Sequence, residues 1–146
     1  MVNMSLEVIV LPVTDVDRAK DFYANKLGFN LDVDHAAGDQ FRVVQFTPPG
    51  SACSVTFGVG LGETTAAPVK GIHLCVADIE VAVTELQGRG VEVAPIRHMG
   101  PNGWEDGPDP ERRKYGSYSF FTDPDDNGWV LQEVGAISTR EERHTD

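Results

Sequence analysis

His73 and Cys75 are the side chains in this 146-residue sequence whose types most readily do chemistry, and they lie two positions apart. An imidazole can act as a general base near neutral pH or donate a hydrogen bond to a ligand carbonyl. A thiol becomes a nucleophile when a neighbouring base or helix N-terminus lowers its pKa, and neither is evident beside Cys75. Gln132 can orient a ligand or serve as a structural hydrogen-bonding group. His73 is therefore the candidate catalytic residue, with a pocket-wall imidazole as the alternative.

Other reactive patterns are missing from the sequence. The glycines at 58, 60 and 62 alternate and do not open a helix, as a phosphate-binding loop would. No spacing of Ser, His and Asp singles out a hydrolase triad. Two cysteines do not make a disulfide framework, so we expect a cytoplasmic protein with free thiols.

The composition is that of an ordinary globular protein, and its charge limits the classes of partner. A net charge of −11 argues against binding to a nucleic-acid backbone and permits a cationic ligand. No apolar run approaches the roughly 20 residues of a transmembrane helix, and the first residues lack the pattern of a signal peptide. We therefore expect a small-molecule ligand, with no nucleic acid and no membrane as partners.

An internal repeat indicates which elements position these residues. Residues 9–19 and 72–82 match in register, with Ile, Leu, Val, Asp and Ala recurring. Each copy begins with an alternating strand pattern and reaches an aspartate, Asp15 or Asp78, that can cap a helix. The repeat therefore predicts helices over about 16–27 and 79–87, ended by glycine at 28 and at 88 or 90.

Strand-like stretches follow each helix, which gives the order βαβββ twice. The predicted strands after the helices are 30–33, 41–47, 52–59, 91–94, 117–122 and 129–134. We divide the chain into a first module (1–59), a linker (60–70), a second module (71–134) with a long loop over 97–116, and a polar C-terminal tail (135–146). A long loop without secondary structure is often a lid or a binding loop.

Three segments carry a resemblance to a known family: LPVTDVDRAKDFYANKLGF, GIHLCVADIEVAVTELQGRGVEV and FFTDPDDNGWVLQEV. With them, roughly residues 6–134 resemble the vicinal oxygen chelate superfamily of glyoxalase I, bleomycin-resistance proteins and extradiol dioxygenases. The resemblance implies an α+β fold of two tandem βαβββ modules whose curled mixed sheets surround a concave pocket. It also implies that homodimers are common. Asp126 stands where the family usually has glycine. If the turn requires a positive φ at this position, aspartate tolerates it better than most residues.

Metal-using relatives bind a divalent ion through His on the first strand and Glu on the last strand of each module. In this chain those positions hold residues that do not usually ligate such an ion: Val8, Ser54 or Thr56, Gly71 and Val130. A register shifted by one residue would bring in Glu7 and Glu133 instead. The repeat argues against that shift, because the shared residues should form the shared core and leave both glutamates near strand ends, reaching solvent. We therefore expect no metal and no cofactor.

Period-two alternation then predicts the residues that line the pocket. They are Val8, Val10, His73, Cys75, Val130 and Gln132, joined by members of the sets Ser54/Thr56 and Phe120/Phe121, of which we take Ser54, Thr56 and Phe120. Trp104 lies in the long loop with His98, Met99 and Tyr115 and could cover the pocket as an aromatic lid, or could anchor its own loop. Arg112 and Arg113 could hold an anionic group, or form a solvated pair beside Glu111.

Three functions remain open. The first is metal-free binding of a small hydrophobic or aromatic compound, as in bleomycin-resistance proteins that sequester an antibiotic. The acidity of the chain is compatible with a compound that also carries a cationic group. The second is a metal-independent isomerase or lyase in which His73 transfers a proton. The third is a divalent-metal enzyme of the glyoxalase or dioxygenase type, which requires a different strand register.

Overall fold

The protein folds into two units, each built from one sheet and one helix. The structure, a computed structural model, describes residues 1–62 and 67–135, so the predictions for residues 136–146 and for part of the linker lie outside the described residues. The first unit holds the described residues up to 69 together with Thr122–Asn127, and the remaining described residues form the second. No helix in the described ranges is long and apolar enough to cross a membrane.

Both helices begin where the repeat predicts, at an aspartate whose side chain accepts hydrogen bonds from backbone amides. Asp15 caps α1 (Val16–Asp21), which continues as a π-helical segment, Phe22–Lys26. Asp78 caps α2 (Ile79–Gly88). Gly28, with φ of 70°, and Gly90, with φ of 89°, follow the helical segments in the left-handed conformation that glycine adopts without strain.

The first unit has the predicted βαβββ order. Its strands are β1 (Val8–Val10), β2 (Asn30–Ala36), β3 (Arg42–Thr47) and β4 (Ser54–Val59), and they form a mixed sheet in the order β1-β4-β3-β2. β1 runs parallel to β4, while β3 is antiparallel to both of its neighbours. The core between sheet and helical segment is aromatic, because the ring of Tyr23 lies 5.7–6.1 Å from the rings of Phe29, Phe46 and Phe57.

The turn over residues 123–127 closes the first unit rather than the second. The buried carboxylate of Asp123 accepts a hydrogen bond of 2.6 Å from the Tyr23 hydroxyl. It also accepts from the side-chain amide of Asn127, which donates in turn to the Pro12 carbonyl. Asp126 has a φ of 68°, which is the left-handed geometry that the glycine of the family would adopt there.

The second unit is a five-stranded mixed sheet around α2. Its strands are β5 (Ile72–Val76), β6 (Arg97–Gly100), β7 (Gly103–Asp106), β8 (Ser117–Thr122) and β9 (Gly128–Glu133), in the order β5-β9-β8-β6-β7. β5 and β9 pair in parallel, and β6 is antiparallel to β7 and β8. The α+β class is confirmed, and this unit carries one strand more than the first.

The extra strand corrects two sequence predictions. Residues 97–106 form a β-hairpin around Pro101 and Asn102, where a loop without secondary structure was predicted. Residues 91–94 are not a strand, although the Ala94 amide donates to the Phe120 carbonyl at 2.8 Å. The hairpin therefore supplies, through β6, a strand that pairs with β8.

Glu133 corrects a third prediction, because it is buried and does not reach solvent. Its carboxylate lies on the helix side of the sheet and accepts from the Ile79 amide at 2.9 Å, at the start of α2. The Arg112 guanidinium donates to the same oxygen at 2.7 Å. Glu133 is therefore a structural partner of the helix.

Candidate functional site

Each sheet packs one face against its helix, and the opposite face is called here the helix-free face. In the first unit this face carries four of the predicted site residues in two cross-strand pairs: Val8 opposite Ser54, and Val10 opposite Thr56. Val8 and Val10 are 37% and 43% exposed, whereas both hydroxyl side chains are buried. The structure thus places these four together on one face.

Both hydroxyl groups are already engaged in hydrogen bonds. Thr56 Oγ1 donates to the Val44 carbonyl at 2.9 Å. Ser54 Oγ and Thr47 Oγ1 share a hydrogen bond of 2.6 Å, and Thr47 also contacts the Asp32 carboxylate. These groups tie neighbouring strands together, which gives Ser54 and Thr56 a structural role on this face.

The helix-free face of the second unit carries the other four strand residues predicted for the site. His73 lies opposite Val130, and Cys75 lies opposite Gln132. The alternate residues belong to the helix side, as the contact between Glu133 and the start of α2 shows. Period-two alternation therefore assigned the faces of β5 and β9 correctly.

Gln132 connects His73 to the neighbouring strand. Its Nε2 donates to the Tyr115 carbonyl and to the Tyr118 hydroxyl, both at 3.1 Å. Its Oε1 lies 3.0 Å from His73 Nδ1, and since this oxygen only accepts, Nδ1 must carry the hydrogen. A neutral His73 then keeps a lone pair on Nε2, which can accept a hydrogen bond or a proton.

An aromatic cluster lies further along the same face. The rings of Trp104 and Tyr118 meet edge to face with centroids 5.3 Å apart. The guanidinium carbon of Arg97 lies 5.1 Å from the centroid of the Trp104 ring and 5.4 Å from that of Phe120. Phe120 therefore joins this face, whereas Phe121 stacks on the buried ring of Trp129. Trp104 remains 46% exposed.

The other residues of the predicted lid have different surroundings. His98 is buried, and its ring nitrogens contact the Gly107 carbonyl and the Glu105 carboxylate at 2.8 and 3.1 Å. The Tyr115 amide donates to the Glu133 carbonyl, and Met99 is exposed on β6. Of the predicted lid residues, Trp104 belongs to the aromatic cluster, where its ring contacts Tyr118 and Arg97.

Sequence reasoning missed two residues of this face, Arg97 and Tyr118. Tyr118 could have been found, because it lies two positions before Phe120 and shares its face. Finding Arg97 required the hairpin, which the sequence signals through Pro101, Asn102 and Gly103 between alternating residues. The predicted site residues thus fall into a group of four in the first unit and a group of six in the second.

The positions that ligate metal in the resembled family do not fit a divalent ion here. Val8, Gly71 and Val130 offer no side-chain ligand, and the hydroxyls of Ser54 and Thr56 bond to the sheet. Across residues 1–62 and 67–135, no three or more His, Cys, Asp and Glu side chains are grouped so as to hold a metal ion.

One protein-family model matches most of the chain. The model of the Glyoxalase/Bleomycin resistance protein/Dioxygenase superfamily matches residues 5–131. The chain belongs to this superfamily. Among curated proteins, it is 25% identical over 125 residues to the uncharacterized protein YetH of Bacillus subtilis, covering 86% of this chain and 94% of YetH.

Solved structures of the superfamily resemble this protein over nearly its whole length. TnmS3, an antibiotic binding protein from Streptomyces sp. CB03234, is 28% identical with a TM-score of 0.70, covering 92% of this chain and 99% of TnmS3. A glyoxalase/bleomycin resistance protein from the same organism is 30% identical with a TM-score of 0.65, covering 88% and 99%. These similarities agree with the sheet topology described above.

Proposed function

We propose that this superfamily member binds a small hydrophobic or aromatic compound on the helix-free face of its second unit. The observation that carries the proposal is the aromatic cluster of Trp104, Tyr118 and Phe120, with Trp104 46% exposed. Aromatic surface that remains accessible beside convergent polar groups is typical of a ligand site. The polar groups are His73 and Gln132, which can fix the orientation of a bound ring system.

We propose further that binding serves sequestration, as in resistance proteins. TnmS3 is described as an antibiotic binding protein and is 28% identical to this chain over 92% of its length. Stacking and hydrogen bonding need no metal, and the positions used by metal-dependent relatives carry Val8, Gly71 and Val130. The proposed site therefore acts without a metal or a cofactor.

Proton NMR of the two indole groups tests the proposal directly. Naphthalene-2-carboxamide, a neutral planar probe, should shift the indole N–H signal of Trp104 saturably and leave that of the buried Trp129 unchanged. Trp104→Ala should weaken probe binding about two- to tenfold, measured from the probe's own proton signals, since aromatic pairs contribute about 0.5–1.5 kcal/mol beyond buried area. Val81→Ala, which removes an exposed apolar side chain from α2, is the matched control and should leave affinity unchanged. Equal shifts at both indoles, or none, would contradict the proposal.

A second candidate function is supported by the hydrogen bond between His73 and Gln132. Because Nδ1 donates to Gln132, the Nε2 lone pair of a neutral His73 can take a proton from a bound metabolite. The reaction would be an isomerase or lyase step on a small carbonyl or aromatic compound. A ligand bound against the aromatic cluster would be held on the same face as this base.

We also propose that the protein forms a homodimer. Val8, Val10 and Val33 are 37–43% exposed, and the strand register places all three on the helix-free face of the first unit. Val8 and Val10 are neighbours on β1, and the burial of exposed apolar side chains of this kind in an interface is favourable. Closed homodimers are the commonest soluble assemblies, which makes a second copy the favoured partner.

A further inference from the structure

We infer that the ligand of the second unit carries an anionic oxygen group, such as a carboxylate, that binds the guanidinium of Arg97. The inference rests on the proposed function and deepens it by naming the chemical class of the ligand as a planar aromatic acid. The net charge of −11 would favour a cationic ligand, whereas the inferred site prefers an anionic one.

Arg97 is distinguished from the other arginines by what surrounds its charge. Within the described ranges five of six arginines lie within 4.0 Å of a carboxylate: Arg18, Arg42, Arg89, Arg112 and Arg113. Arg97 forms no such ion pair with a described residue, and its side chain makes no hydrogen bond to one. In a chain with 23 acidic residues, a guanidinium without a carboxylate partner among the described residues can accept an anionic group of a ligand as its partner.

The surroundings of Arg97 restrict its guanidinium without neutralising it. The Trp104 and Phe120 rings lie 5.1 and 5.4 Å from its guanidinium carbon, within the range of cation–π attraction. Such contacts restrict the rotamers of the Arg97 side chain before a ligand binds, which lowers the entropy cost of binding. They use none of the five N–H donors of the guanidinium. Arg97 is thus prepared to bind a planar anion through two parallel hydrogen bonds.

Asp106 is the acidic residue that competes most directly with such a ligand. It lies opposite Arg97 in the β6–β7 register, so it shares the helix-free face, but its carboxylate is not within ion-pair distance of Arg97. The other titratable groups on this face are His73, Cys75 and Tyr118. Removing the Asp106 charge should therefore strengthen binding of an anion, whereas removing the Arg97 charge should weaken it.

The dimensions of the face suit a ligand of two or more fused rings. His73, Gln132, Tyr118 and Arg97 lie on four adjacent strands, β5, β9, β8 and β6. Adjacent strands are about 4.8 Å apart, so the row spans about 14 Å. A planar ring system against Phe120 and Trp104 can thus reach Arg97 with an acidic substituent.

Three naphthalene probes of similar size and different charge test the inference on the full chain. They are 2-naphthoate, naphthalene-2-carboxamide and 2-naphthylmethylammonium, each titrated while the Trp104 indole signal is followed by NMR. We expect 2-naphthoate to bind about tenfold more tightly than the amide, and the ammonium to bind most weakly. The preference should decrease at high salt, because the charges are partly exposed.

Three substitutions at two positions complete the test. Arg97→Gln should reduce the affinities for naphthoate and amide to within about twofold of each other, Arg97→Lys should retain part of the preference, and Asp106→Asn should increase it. Thermal melting and the Trp129 indole signal report whether each variant is folded. Equal binding of the three probes to the wild type, or a naphthoate preference that survives Arg97→Gln, would overturn the inference while leaving the proposed function intact. No shift of Trp104 with any probe would overturn both.

Discussion

At the scale of single residues, His73 shows how a neighbour can set the chemistry of a side chain. Gln132 uses its amide nitrogen on Tyr115 and Tyr118, so only its oxygen remains for His73 Nδ1. The hydrogen is therefore held on Nδ1 and the lone pair on Nε2. For both proposed functions this geometry is suitable, because the Nε2 lone pair of neutral His73 can accept a hydrogen bond from a ligand or a proton from a substrate.

The first prediction at this scale concerns the tautomer of His73. In its neutral form, we expect the ring to carry its hydrogen on Nδ1, with ¹⁵N chemical shifts in a long-range ¹H–¹⁵N spectrum as the measurement. Gln132→Ala removes the acceptor and should shift the ring toward the Nε2–H form. His98, whose ring contacts Gly107 and Glu105 instead, is the internal control and should not change. An Nε2–H tautomer in the wild type would show that Gln132 does not orient His73.

At the scale of elements, the turn 123–127 illustrates a contact that local sequence does not reveal. Its Asp, Pro and Asn residues predict a turn, but nothing in their spacing identifies Tyr23 as a partner 100 positions away. The Tyr23 hydroxyl and the Asp123 carboxylate are both buried, so the hydrogen bond between them is shielded from water. The turn is thereby attached to the helical segment of the first unit.

Removal of one hydroxyl tests this attachment. Tyr23→Phe should lower the free energy of unfolding by about 1–2 kcal/mol, because it leaves a buried carboxylate without one of its donors. Urea denaturation measures the change. Tyr115→Phe makes the same chemical change at an exposed ring and should cost less than about 0.5 kcal/mol. Equal costs for the two variants would mean that the Tyr23 hydroxyl does not hold the turn.

Elements were predictable from the sequence where a short-range signal determined them. Asp15 and Asp78 identified the helix starts, because capping depends on atoms only two or three residues away. Alternation assigned His73 and Gln132 to one face for a similar reason. The hairpin 97–106 was missed because its strands have four residues each and contain glycine at 100 and 103, which weakens the alternation. Burial of Glu133 also depends on a distant partner, Arg112.

At the scale of the whole molecule, charge and apolar surface act in opposite directions on assembly. Each chain carries a net charge of −11, so two copies repel each other over a distance that salt shortens. The exposed valines of the first unit, Val8, Val10 and Val33, favour association through burial of apolar area. We therefore propose that the balance between these two effects makes the oligomeric state depend on ionic strength.

Light scattering after size exclusion measures that dependence. We expect about 32 kDa, twice the 15.9 kDa of one chain, with a dimer that dissociates more readily at low salt because repulsion is then screened least. Val10→Glu places a charge on the proposed interface and should yield the monomer, whereas Val81→Glu adds the same charge to the exposed side of α2 and should leave the dimer intact. A wild-type mass of about 16 kDa at all salt concentrations would exclude the homodimer. The two variants separate a local effect at β1 from a general effect of added negative charge, since each adds one negative charge to the net charge of −11.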